Sequence, residues 1–192
     1  MSATETDAVA ATTRPAWSGI NHLALVTTDM DATVRFYHGV LGASLVATIG
    51  TPDFRHYFFE FGPHCTVAFF EYANADLKPF AKEAGVPDPR AVQFDHLALN
   101  LPDEEALHDL QRRLKEAGSE VTDVVDHGFI RSVYFTDPNG IALEASWWVH
   151  DVTGAGSGKD DDSIFGDTNP VPAVQELQAT GRLASVPTTH LT

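Results

Sequence analysis

A single cysteine, Cys65, occurs in 192 residues, so no disulfide can close within the chain. Cations are also scarce, with 12 Lys and Arg against 27 Asp and Glu and a net charge of -15. Phosphate backbones and anionic membrane surfaces are held by clustered Lys and Arg, and no such cluster exists here, which excludes nucleic acid and membrane as partners. No apolar run approaches the ~20 residues of a membrane-spanning helix. The first residues lack the charged-then-apolar pattern of a secretory signal, and a cytoplasmic location is the expectation. The length suits one domain with a substantial core, or two small modules sharing one.

What the chain does have is a duplication. His-Leu-Ala-Leu occurs at 22–25 and again at 96–99, and each copy is followed about fifty residues later by a glutamate in an apolar strand, Glu71 and Glu144. After each histidine comes an Asp-rich helix start and a Gly-terminated helix. One unit has been used twice.

The organisation follows from that repeat. Residues 1–17 lack apolar periodicity and read as a disordered leader. Module one spans 18–73. Its first strand, 20–27, alternates, with His22, Ala24 and Val26 on one face and Leu23 and Leu25 on the other. A helix capped by Asp29 or Asp31 carries an apolar stripe of Val34, Phe36, Tyr37 and Leu41 and stops at Gly42. Strands are expected at 44–49, 56–61 and 66–72, with Gly62-Pro63 turning between the last two. Residues 74–92 form a linker in which 76–84 can make a short helix closed by Gly85.

Module two, 93–150, restarts with a strand at 94–101. Asp103, Glu104 and Glu105 favour a helix N-terminus, Ala106, Leu107, Leu110 and Leu114 form its stripe, and Gly118 ends it. Strands are expected at 120–125, 130–135 and 141–147, with Asp137-Pro138-Asn139-Gly140 as the last turn. Residues 151–192 form an acidic tail containing Gly and Pro, in which 171–180 can form one helical segment.

His22, His96 and Glu144 are the candidate metal ligands. Two neutral imidazoles and one carboxylate with open positions beside them suit Fe(II) oxygen chemistry, and with added oxygen ligands also Mn(II), Ni(II) or Zn(II). The two histidines hold equivalent strand positions, so pseudo-twofold packing would aim both at one cleft. An isolated strand histidine is most simply a half-buried residue with a local hydrogen bond; the duplication is what argues for a ligand pair.

These residues, together with Val125-Asp126-His127, Val133-Tyr134, Asp137-Pro138, Gly140 and Glu144, resemble the vicinal oxygen chelate superfamily. That superfamily includes glyoxalase I, methylmalonyl-CoA epimerase, fosfomycin and bleomycin resistance proteins and extradiol ring-cleavage dioxygenases. The run from Val125 to Glu144 is similar to the type I extradiol signature. Over about 18–150 the resemblance implies an α+β fold of two βαβββ modules, forming a cupped, mixed and mostly antiparallel sheet around a divalent metal. It implies His22, His96 and Glu144 as metal ligands, with His127 and Tyr134 hydrogen-bonding bound substrate or oxygen. Both roles suit their chemistry, since histidine exchanges protons near neutrality and a tyrosine hydroxyl orients an oxygen without competing for metal. In glyoxalase-like members the position assigned to Glu71, as the repeat-equivalent of Glu144, supplies a fourth ligand. Extradiol enzymes of this type usually carry a further acid-base histidine just before the second metal histidine; 73–95 has none, and His64 is the nearest substitute.

The leading expectation is an Fe(II) dioxygenase cleaving a catechol-like or other small aromatic substrate with O2, in a homodimer or other homo-oligomer. Phe58, Phe59, Phe61, Phe69 and Phe70 are partly core, one strand face being free to line an apolar cavity, with Trp147 and Trp148 at its rim. The alternatives are a metal-dependent lyase, isomerase or epimerase of the glyoxalase type, using Glu71 as fourth ligand or base, and a non-catalytic small-molecule-binding resistance protein.

Overall fold

The structure, a computed structural model, describes residues 20–91, 94–151, 169–181, 183 and 185. The leader at 1–17, most of the 151–170 stretch and the end of the tail lie outside the described residues. The chain divides between Lys78 and Pro79 into two compact units.

Unit one begins with β1 (His22–Val26), followed by α1 (Met30–Val34), which runs directly into a π-helical stretch, Arg35–Val40. β2 (Ser44–Gly50), β3 (Phe54–Gly62) and β4 (Cys65–Tyr72) complete it. The sheet order is β1-β4-β3-β2, with β1 parallel to β4 and the other pairs antiparallel. Asp29 starts the helix, as its composition predicts: from an extended backbone its side chain accepts the Ala32 N–H at 2.9 Å. The expected stripe is shifted. Met30, Thr33, Phe36 and Tyr37 are the buried residues, and Leu41, which donates to the Phe36 carbonyl five residues back, is carried out of the stripe by that wider turn. Tyr37 is fully buried, with ring centroids 4.9 Å from Phe69 and 5.4 Å from Phe59. Loss of a ring so placed costs about 3–5 kcal/mol.

Unit two repeats the order with β5 (Leu97–Asn100), α2 (Glu104–Glu116), β6 (Val125–Asp126), β7 (Ile130–Thr136) and β8 (Ala142–Trp148), and adds α3 (Pro172–Thr180). Its sheet order is β5-β8-β7-β6, again with the first and last strands parallel. Asp103 caps α2 by accepting the Ala106 N–H at 2.8 Å, and Leu107 and Leu114, two turns apart, are fully buried. The fold is therefore α+β, two four-stranded mixed sheets in two βαβββ units. Among the described residues no helix is long and apolar enough to cross a membrane.

Two expected elements are reduced or missing. Residues 76–84 form no helix, because Pro79 contributes no N–H and restricts the residue before it, and Lys82 is drawn away to Asp95. The strand expected at 120–125 survives as an isolated Val121–Phe135 bridge and the two-residue β6. The 94–101 strand contracts to β5.

The turn between β7 and β8 is unusually constrained. The Asp137 carboxylate accepts the N–H groups of Asn139 (2.9 Å) and Ile141 (2.8 Å), and Gly140 has φ +80. A Cβ on Gly140 would come 2.5 Å from the Phe80 carbonyl oxygen and 2.8 Å from Ala81 Cα, so glycine admits the 80–82 backbone against the turn. Gly128 shares the left-handed φ, at +87, but has open space around it. Gly128→Ala should cost only the conformational penalty, about 1 kcal/mol. Gly140→Ala adds the overlap and should cost about 2–4 kcal/mol in chemical denaturation. Equal losses from the two substitutions would show that the close approach at Phe80 is unimportant.

Candidate metal centre

His96 directly precedes β5 and shares the face of Ala98 and Asn100. Ala98 pairs with Glu144, which pairs in turn with Tyr134, so His96, Glu144, Tyr134, Ser132 and Ser146 stand on one side of the unit-two sheet. His96 Nε2 is 2.7 Å from Glu144 Oε2, and the other Glu144 oxygen accepts the Ser132 hydroxyl. Glu144 is only 6% exposed, and a carboxylate that deep requires such partners. Tyr134 Oη is 2.8 Å from His127 Nε2. Burial first, and then the Glu144 charge, push the Tyr134 hydroxyl above its ordinary range, so it keeps its proton through neutral pH.

Behind His96 stands a charged arrangement that sequence reasoning missed. Asp95 Oδ1 accepts from His96 Nδ1 at 2.6 Å and from the Gly85 N–H at 2.7 Å, while Oδ2 accepts from Lys82 Nζ at 2.9 Å. The His96 hydrogen bond, then the Gly85 N–H and Lys82, hold the Asp95 carboxyl far below the usual carboxylate range. An ionised carboxylate only accepts, so Nδ1 of His96 is the donor and Nε2 is left to face Glu144.

Two donors bound at right angles about 2.1 Å from one ion are roughly 3 Å apart. The 2.7 Å separation of His96 Nε2 and Glu144 Oε2 is close to that edge, and an imidazole nitrogen with a carboxylate oxygen is a donor pair suited to a divalent cation. Among the described residues no group of three or more His, Cys, Asp or Glu side chains is gathered to hold an ion. The structure brings His96, Glu144, Tyr134 and His127 together within unit two; His22 belongs to unit one.

In unit one, His22 pairs with Thr66, and Ala24 with Ala68, which pairs with Phe58. His22 and Phe58 meet edge-on with centroids 5.7 Å apart, as His96 and Tyr134 do at 6.1 Å. The repeat thus carries Ala68 and Phe58 where unit two carries Glu144 and Tyr134. This corrects the assignment of Glu71 as the counterpart of Glu144. Its spacing from the histidine is one residue longer, and with a side-chain period of two that puts it on the opposite face, with Val67 and Phe69. There Glu71 accepts the Met30 N–H at 3.0 Å, at the start of α1, and pairs with Arg55. Glu60 shares His22's face but is exposed on β3, with β4 between. His64 sits exposed in the β3–β4 turn at φ 63.

The aromatic set divides by face. Phe59, Phe61 and Phe69 surround Tyr37, whereas Phe58 and Phe70 are on the His22 side. Alternation puts Trp148 on Glu144's side and Trp147 on the other. Between Phe58 and Phe70 is a residue that sequence gave no reason to choose, His56, buried and stacked on Phe70 at 3.5 Å, its Nε2 without a hydrogen-bond partner among the described residues. Asp95 did leave a signal in the sequence. Each repeated histidine follows an Asx residue, and Asn21 Oδ1 holds His22 Nδ1 at 2.8 Å as Asp95 holds His96.

Residues 19–145 match the model of the Glyoxalase/Bleomycin resistance protein/Dioxygenase superfamily. The chain belongs to that superfamily. Solved structures share its fold. A glyoxylase/bleomycin resistance protein/dioxygenase domain from Frankia sp. EAN1pec is 23% identical, with 69% of this chain and 98% of that one covered and a TM-score of 0.59. TnmS3, an antibiotic-binding protein from Streptomyces sp. CB03234, is 17% identical over 70% of this chain and 99% of its own, with a TM-score of 0.54. The fosfomycin resistance protein FosX from Mesorhizobium loti is 20% identical over 67% and 90%, at 0.50.

His56 makes a stability prediction. Burial, then the neighbouring His22, lowers its pKa, so the unfolded chain takes up a proton near pH 6.5 that the folded chain refuses until lower pH. That contribution is intact above pH 6.5 and is lost as pH falls below it. His56→Phe removes both the orphaned nitrogen and this loss, and should raise stability by about 1 kcal/mol at pH 7 and by more at pH 5. Melting curves at the two pH values check this, and a destabilised variant at both would contradict it.

Proposed function

We propose that the protein is a metal-dependent dioxygenase of this superfamily, with His22, His96 and Glu144 as ligands and Fe(II) as the metal, cleaving a catechol-like or related small aromatic substrate. The observation that carries this reading is the asymmetry of the repeat: Glu144 in unit two is answered by Ala68 in unit one, and Glu71 is committed to Met30 and Arg55. The set is then two imidazoles and one carboxylate, the combination associated with Fe(II) oxygen chemistry, and not the four-ligand set a glyoxalase-type isomerase would draw from both glutamates. His22 would be supplied by unit one of the same chain or of a second copy in a homodimer.

When bound, the ion would supply Lewis acidity to a substrate hydroxyl and a meeting point for substrate and O2. The remaining work falls to the chain. His96 and Glu144 are held from behind by Asp95 and Ser132, which fixes the direction of their donor atoms. Tyr134 keeps its proton at Oη and can donate a hydrogen bond to His127 Nε2 or to a substrate oxygen, with His127 placed to accept it.

The test is oxygen uptake by anaerobically Fe(II)-loaded protein against substituted catechols, with ultraviolet-visible spectra in parallel. A ring-fission chromophore with oxygen consumption is the expected result. His96→Ala should abolish both with the fold retained, and Tyr134→Phe should lower kcat by about 10²-fold. Turnover of a substrate without oxygen consumption, or silence from protein holding stoichiometric iron, would overturn the dioxygenase reading.

A further inference from the structure

Lys82 is the one lysine that the described residues bury, and nothing in the proposed reaction uses it. Its side chain is 6% exposed, and its three hydrogen-bonding positions are filled by Asp95 Oδ2 (2.9 Å), the Asp95 carbonyl (3.0 Å) and the Glu83 carbonyl (2.9 Å). Burying an ammonium group is expensive, and a hydrophobic residue of similar size would commonly serve stability as well. The ammonium is spent wholly on Asp95 and on backbone beside it. Asp95 in turn holds His96 Nδ1, and the far side of that ring meets Glu144. Gly140 lets the Phe80–Ala81 backbone lie against the β7–β8 turn, two residues from Lys82, so the lysine is presented by a packed segment and not by a free loop.

The equivalent position in unit one has no such support. His22 Nδ1 meets the neutral amide of Asn21 where His96 meets a carboxylate; both pairs are exposed, so the difference is one of charge. A carboxylate behind an imidazole fixes its tautomer and raises its basicity as a ligand, and it does so more strongly than an amide carbonyl.

We infer that Lys82 and Asp95 are positioning residues for the divalent cation: Lys82 fixes the Asp95 carboxylate, Asp95 fixes His96 with Nε2 toward Glu144, and the His96–Glu144 half is the stronger seat for the ion. This rests on the metal-binding part of the reading above, but not on its oxygen chemistry.

The experiment uses the full chain, stripped of metal and titrated with Co(II) against a chromophoric chelator, while the Co(II) absorption bands are recorded. Asp95→Asn should weaken binding by about 10–100-fold and shift the bands. Lys82→Met should weaken it as well, Lys82→Arg should restore part of the loss, and Asn21→Ala should have a smaller effect than Asp95→Asn. In the Asp95→Asn background, Lys82→Met should add nothing to the loss of affinity, because its effect runs through the carboxylate. A lysine acting only on the fold would lower the melting temperature in both backgrounds and leave the Co(II) bands unmoved; that result would overturn the inference, as would variants that bind Co(II) as tightly as the parent. Wild-type protein that takes up no Co(II) would remove both the inference and the metal site. Co(II) binding that depends on Asp95 and Lys82, in protein that consumes no oxygen when iron-loaded, would uphold the inference and remove the dioxygenase alone.

Discussion

Asp95 ties the 82–85 segment to the start of β5: Lys82, the Gly85 backbone and the histidine that follows it all converge on one carboxylate. The Lys82 ammonium is the buried member, 6% exposed, and needs all of its partners, whereas the Asp95 carboxylate is 48% exposed and is solvated as well as bonded. Here each has its partners. The direction of the His96 ring, and with it the contact with Glu144, depends on that closure. The irregular path of 79–85 follows from the same need, since a helix over 76–84 would have to give up the position from which Lys82 reaches Asp95.

The second constraint is the period of two along a strand. Glu71 and Glu144 look alike in sequence, each in an apolar strand about fifty residues beyond a repeated histidine. One residue of difference in spacing sends their side chains to opposite faces, one to the start of α1 and the other to His96. Register separates them where composition cannot. The duplicated fold is therefore furnished unequally: beside its repeated histidine one unit carries Ala68 and Phe58 and the other Glu144 and Tyr134, while the edge-on ring contacts of the two histidines are nearly the same.

Much of this was legible from residue pattern. The two βαβββ units follow from apolar alternation, from Asp29 and Asp103 as helix caps, and from Gly42 and Gly118 as left-handed terminators. The grouping of Glu144 and Tyr134 was legible because each sits at a strand position whose partner can be counted, and His96 and His127 each directly adjoin a strand end. Other features were not. The π-helical turn after Val34 depends on how Tyr37 packs among Phe59, Phe61 and Phe69, a tertiary demand with no local signature. Lys82 reads as an ordinary linker lysine until the fold buries it. His56 reads as an ordinary strand residue, and its unpartnered nitrogen appears only when Phe58 and Phe70 close around it.

Charge gives the asymmetry of the repeat a chemical meaning within the proposed reading. A divalent cation on two neutral imidazoles and one carboxylate keeps one net positive charge, whereas a second carboxylate at position 68 would bring the set to neutrality. The first arrangement would attract an anionic oxygen donor such as an ionised catechol hydroxyl and would leave positions free for exogenous ligands. The second would oppose that anion and take one of the open positions. Ala68 is fully buried, so a glutamate there would also need the ion or a new partner to offset its desolvation. On the proposed reading the alanine would preserve the charge and the open positions that substrate and O2 require, while the single glutamate, held by Ser132 and faced by His96, would supply the one carboxylate of the set.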